Sequence, residues 1–315
     1  MTRSVLAALA SMSLASLALT ETAHGQANGS NGAEPSPESV YAPPEPPKPE
    51  EGVNMGGAHF DLGVSYFSDY IYRGVRVFEN QGGNNGLNLQ VDSKLSFDLG
   101  KLPHPFISVF TNIANSDPTS NFEEIRPSLG FDWTIKPLQF SFGYTTYLYP
   151  ERDQLETSEA YASLSLDDRV LFGGKPIPVP YVLLAYDFDL YDGFYLEGGL
   201  SYRLTFEDLG LSITALANVA YINHWAAVVP GDAGNGTEAG FFTDPEHFDG
   251  SGKLSGMQHY QVGLMGEYSL NKLFNVSNRY GEWTLRGYVT YTDGLDDNIN
   301  SATLLWGGGG INFSY

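Results

Sequence analysis

The chain has 315 residues, with 16 Lys+Arg against 37 Asp+Glu, a net charge of −21, no cysteine, and 20 Tyr, 19 Phe and 36 Gly. That acidity argues against a nucleic-acid partner, whose phosphates would repel it. No uncharged apolar stretch of ~20 residues follows the N-terminus, which excludes a helical membrane protein.

Residues 1–25 carry a targeting pattern. Arg3 supplies a positive start, Val5 to Leu19 an apolar stretch broken only by small residues, and Ala23-His24-Gly25 or Gly25-Gln26-Ala27 a small-residue cleavage position. This is the pattern of a secretory signal peptide. Residues 26–56 follow as a Pro/Glu-rich segment almost without apolar side chains, "QANGSNGAEPSPESVYAPPEPPKPEEG" at its heart. Such a composition predicts a disordered spacer on the periplasmic side.

Residues 57–315 repeat one theme, roughly a dozen residues alternating apolar and polar, then a turn. Phe60, Leu62, Val64 and Tyr66 alternate with Asp61, Gly63 and Ser65, a period of two that specifies a strand with one apolar face. The next stretch, "YFSDYIYRGV" (residues 66–75), continues the alternation. It is expected to place Asp69 and Arg73 on the polar face and Tyr66, Tyr70 and Tyr72 on the apolar one. Eleven further runs follow, opening at Leu87, Ile107, Ile125, Leu138, Ala160, Val182, Phe194, Leu211, Tyr260, Trp283 and Leu305. In the third, Phe106 and Phe110 compete with Ile107 and Val109 for the same face.

The connections test the count. With a periplasmic N-terminus, the turns after even strands ("GKLPH", "IKP", "EDLG") are tight. Longer connections fall after odd strands, at residues 72–86, 149–155 and above all 223–256. "YDG" and the stretch from Arg169 to Pro178 are exceptions. Short periplasmic turns and long outer loops mark a bacterial outer-membrane barrel. An even strand number lets the first and last strands pair and leaves no edge. The expected fold is therefore all-β, a single-chain antiparallel transmembrane β-barrel of twelve strands, in the bacterial outer membrane among its lipids. Pro127 sits inside the fourth strand, where a closed sheet has no edge, so a bulge or a later strand start is expected there. The terminal "GINFSY" ends on Tyr315, with Phe313 two and Gly310 five residues before it, and resembles the signal by which the barrel assembly machinery recognises its clients.

"SYFSDYIYRGVRVFENQGG" resembles the N-terminal signature of the TorF-like family of outer-membrane porins, built around S-D-Y-x-[FY]-R-G. The resemblance continues through "GLNLQVDSKL", "FTNIANS" and "TTYLYPERDQLETSEAYASLSL", covering about residues 58–166, with strand rhythm alone beyond. Val75-Arg76-Val77 stands where that family commonly has Ser-Gln. The resemblance implies an outer-membrane barrel assigned to transport.

Enzymatic alternatives find little support. An outer-membrane lipid hydrolase needs a Ser with a His in reach near the outer rim. His59, His104, His224, His247 and His259 show no H-x-S pattern. Asp244, Glu246, His247 and Asp249 have the composition of an acid/His protease but read as a solvated loop. "DFDLYDG" (187–193) and "TDGLDDN" (292–298) are acidic turns, and the first puts Asp192 where a calcium loop needs Gly. No metal or cofactor is expected. On the polar faces lie the acids Asp69, Asp92, Asp98, Glu124, Asp132, Glu159, Asp187, Asp189, Glu197 and Glu267, with the bases Arg73, Lys94, Arg126, Arg203 and Arg286. Such a surplus of acids lining a water-filled barrel predicts a passive, non-enzymatic porin for small neutral or cationic solutes. A closed structural or adhesive barrel working through its 223–256 loop is the alternative, and an outer-membrane hydrolase a weaker one.

Overall fold

The computed structural model describes residues 57–76, 88–114, 124–150, 155–166, 177–230, 237–239, 241–243 and 252–315. The signal-peptide and spacer expectations for residues 1–56 lie outside these residues, as do Asp244, Glu246, His247 and Asp249. Among the described residues there are sixteen strands: β1 Ala58–Phe67, β2 Ile71–Tyr72, β3 Val75–Arg76, β4 Asn88–Phe97, β5 His104–Ala114, β6 Glu124–Ile135, β7 Leu138–Tyr147, β8 Thr157–Leu166, β9 Val179–Asp187, β10 Gly193–Phe206, β11 Leu211–Ala226, β12 Val228–Pro230, β13 Thr237–Ala239, β14 Lys253–Ser269, β15 Glu282–Gly294 and β16 Thr303–Ser314. Twelve of them close a barrel in the order β1-β16-β15-β14-β11-β10-β9-β8-β7-β6-β5-β4, while β2–β3 and β12–β13 are separate two-stranded sheets. All pairings are antiparallel, and β1 meets β16 with Val64 opposite Ile311. The terminal residue completes that seam, because the Tyr315 amide donates to the Phe60 carbonyl at 2.8 Å and the Phe60 amide returns a bond at 2.7 Å. The expected twelve-stranded barrel is what forms.

Alternation decides the two faces. Phe60, Val64, Tyr66, Ile107, Leu129, Phe131, Leu184, Leu264, Leu285 and Ile311 all point outward and are exposed. They form a continuous apolar exterior, which in water would be an untenable patch and in a bilayer is the lipid-facing band. Both chain ends of the barrel and the tight turns share one end, called here the turn end. The longest connections, including 68–87 and 227–252, share the other, the loop end, although residues 167–178 and 270–281 make longer connections at the turn end. At the turn end a five-residue helix, α1 (Leu270–Phe274), is capped by the Ser269 hydroxyl, which accepts from the Lys272 amide.

Pro127 is accommodated without a bulge. The β6–β7 ladder runs to Ser128 opposite Thr145 and resumes as an isolated bridge between Ile125 and Leu148 in unchanged register. Ile125 and Leu148 exchange two bonds of 2.9 Å there. The gap falls where the proline has no N–H to give its neighbour.

The first strand is shorter than the alternation implied. β1 ends at Phe67, and residues 71–76 turn into the barrel as a hairpin. Its two central residues, Arg73 and Gly74, have φ of 45° and 76°, as a two-residue type I′ turn requires. Tyr70 and Tyr72 are 1% and 0% exposed. They lie in the interior, not on the apolar exterior expected for them, and Asp69 and Arg73 share no strand face.

Candidate functional site in the barrel lumen

At the loop end the lumen is filled. Tyr72 donates to or accepts from the Tyr147 hydroxyl at 2.6 Å, and its ring lies 5.9 Å from that of Phe241. Phe241 and Phe242 are buried against Trp225, Tyr191 and Tyr195, so part of the long 227–252 connection folds down over the barrel mouth. The Arg73 guanidinium donates to both carboxylate oxygens of Glu159 on β8, at 2.9 Å each. The same group stacks 4.3 Å from the Tyr195 ring and 4.8 Å from that of Tyr72, cation–π contacts that gain strength in a dry site. Beside it, Glu124 and Arg126 of β6 pair at 2.7 Å, and Tyr70 joins them by donating to Glu124 at 2.6 Å. The Arg126 guanidinium also faces the Phe110 ring at 4.3 Å and the Lys94 ammonium the Phe106 ring at 4.4 Å, which explains why Phe106 and Phe110 turn inward against the apolar pattern of β5.

At the turn end the lumen is polar and partly open. Lys94 of β4 pairs with Asp132 of β6 at 2.6 Å. Glu267 of β14 bridges Arg203 at 2.6 Å and Arg286 at 2.9 Å, and Arg286 also donates to Asn312 at 3.2 Å. Asp92 lies inside on β4, opposite Gly63, whose missing side chain leaves room for the carboxylate. The Arg203 side chain, three residues from the end of β10, keeps 29% of its surface accessible, against 1% for Arg73, so the lumen is less tightly closed at this end.

Several expected lumenal groups have other duties. Asp69 lies in the bend before the hairpin and pairs with Arg76 at 3.0 Å. Asp98 and Asp189 are exposed in connections, at the turn end and the loop end respectively. Asp187 does face inward, yet it neither lines an open mouth nor pairs with Arg203. Its carboxylate accepts from the Thr157 hydroxyl at 2.7 Å and from the amides of Tyr191 at 2.9 Å and Asp189 at 3.2 Å, stapling the β9–β10 turn. Glu197 is likewise satisfied by Tyr181 at 2.8 Å and Tyr195 at 2.6 Å. The surplus of acids is thus largely consumed by ion pairs, hydroxyls and backbone amides.

Asp61, a lumenal acid outside the expected set, accepts from Ser314 at 2.5 Å. Its place between Phe60 and Leu62 marks it as inward-facing. The aromatic pair Phe241-Phe242 inside a polar connection was the signal for the cap over the mouth.

The acidic turns act locally. Asp296 accepts from the Asn298 amide at 3.0 Å. Lys253 hydrogen-bonds to Asp192 at 2.8 Å and holds that carboxyl below its ordinary range, with the Tyr186 hydroxyl assisting. Among the described residues no three His, Asp or Glu side chains converge as metal ligands would. His104 lies at the turn end, 3.2 Å from Asp98, and His259 is buried in the lumen. At the C-terminus Gly310 faces inward against Ser65, while Phe313 packs on Trp283 with ring centroids 4.6 Å apart and Tyr315 stacks beyond it.

No family model and no curated protein matches the chain. Among solved structures, it is similar to the NanC porin over 81% of this chain and 98% of that one, at 10% identity and a TM-score of 0.43. The translocator domain of the autotransporter NalP from Neisseria meningitidis matches over 84% and 90%, at 10% identity and a TM-score of 0.35. A Pseudomonas aeruginosa FadL homologue matches over 82% and 90%, at 12% identity and a TM-score of 0.33.

Proposed function

We propose that the protein is an outer-membrane channel for the passive passage of small hydrophilic solutes, neutral or cationic, within the TorF-like family its signature resembles. One observation carries this: a closed barrel whose outside is apolar and whose inside is polar and charged, with Arg203 accessible at the turn end. A barrel that only needed to be stable in lipid has no use for desolvating so many ions, since buried ion pairs contribute little net stability. The lipid band, the assembly machinery acting on Gly310, Phe313 and Tyr315, and a periplasmic turn end follow from the same reading. Planar-bilayer recording of the purified, folded protein tests it. Discrete conductance steps with a reversal potential biased toward cations in a KCl gradient are expected, and a silent bilayer from folded protein counts against it.

The packing of Phe241 and Phe242 over Trp225 favours one second reading, a closed barrel that works through its long outer connection. Silence in the bilayer together with saturable binding of that loop to a cell surface would select it.

A further inference from the structure

We propose that the β2–β3 hairpin is an autoinhibitory plug that keeps the loop end of the lumen shut, with Arg73 and Glu159 as its latch. The proposal rests on the channel reading, because a plug matters only where something would otherwise pass.

The hairpin reaches across the lumen rather than along its wall. Arg73 meets Glu159 on β8 and Tyr72 meets Tyr147 on β7. On another side, a Cβ on Gly74 would collide with the His259 ring of β14, and Asn300 donates to the Gly74 carbonyl at 3.0 Å. Strands distant in the barrel order therefore close on one turn. The wall it touches is dry: Tyr147, Glu159 and His259 are each 1% exposed.

Two features suit this element to release. Arg73 holds a positive φ, which a non-glycine residue keeps only while its surroundings over-determine it. The latch is an ion pair, whose mutual attraction is largely offset by the hydration both groups regain on opening. Undocking would also part Tyr72 from Tyr147 and Phe241, so the aromatic packing sets most of the cost of opening.

The chain has no cysteine, so a single reporter thiol serves. His259→Cys, at a position covered by Gly74 of the hairpin, should resist a hydrophilic thiol reagent in an otherwise unchanged barrel. In the Arg73→Ala/Glu159→Gln background, which removes both charges together, it should label about tenfold faster, because labelling of a buried thiol follows the open population. Tyr72→Phe, which loses only the bond to Tyr147, is the milder release variant should the first fail to fold. Heat-modifiable mobility establishes folding in each case. Equal labelling rates in folded wild-type and release backgrounds overturn the plug. Conductance then separates the two ideas. A silent wild type with a conducting release variant upholds the plug and makes the channel gated rather than constitutively open. Faster labelling with both proteins silent upholds the occluding hairpin and removes the channel.

Discussion

Arg73 and Glu159 are joined by two hydrogen bonds of 2.9 Å, although β4, β5, β6 and β7 separate β8 from the strand that launches the hairpin. A contact between side chains 86 residues apart thus fixes what fills the barrel. Both groups are about 1% exposed, so neither can lose its partner and be rescued by water while the hairpin stays docked.

Removing one partner should therefore cost more than removing both. Glu159→Gln leaves a guanidinium buried without its counter-charge, a change worth about 3–5 kcal/mol when such pairs are broken from one side. Arg73→Ala/Glu159→Gln should be distinctly less destabilised than the sum of the single variants. A double-mutant cycle by thermal unfolding in detergent measures this, and additive effects would deny the pair any coupling.

The two faces of the barrel should answer to different reagents. Val64→Cys on the outside should react only with lipid-soluble maleimides, while Arg203→Cys should react with hydrophilic ones entering at the turn end. The reverse pattern would place the strands one residue out of register, which turns every side chain to the other face.

Ion preference should be governed at the turn end, where charges meet water. Glu267→Gln leaves Arg203 and Arg286 without their shared acid. Reversal potentials should move toward anions, and the shift should shrink at 1 M salt, where the screening length falls from ~8 Å to ~3 Å. Asp187→Asn, which alters a turn staple, should leave the potential unchanged.

Closure depends on the last residue. Tyr315→Asp disturbs the pairing with Phe60 and the stack on Phe313. A charge at the membrane boundary costs only ~0–1 kcal/mol, so the larger loss is expected in assembly. Heat-modifiable mobility in the membrane fraction should vanish, and normal mobility would show that the terminal signal is dispensable.

Pro127→Val should stabilise the barrel. It returns an N–H to the interrupted β6–β7 ladder on a lipid-facing position, a gain of about 0.5–1.5 kcal/mol. Chemical denaturation of the folded barrel measures it, and conductance should not change.

Alternation along each segment was enough to determine the strands, their outward faces, the twelve-fold closure and the asymmetry of the two ends. Period-two patterning is local, and a barrel demands it of every strand. The same locality explains the failures. Asp69, Tyr70 and Tyr72 continue the alternation of β1 without a break, so nothing nearby signals that the chain leaves the sheet. Asp187 and Asp189 both extend the polar face of β9, but the ladder stops at Asp187 opposite Gly193 and only one of them stays inside. Whether an inward acid lines a pore, staples a turn or latches a plug depends on its partner. Those partners, Glu159 for Arg73 and Thr157 for Asp187, are set by how the closed barrel brings distant strands around one lumen, and only the tertiary structure decides that.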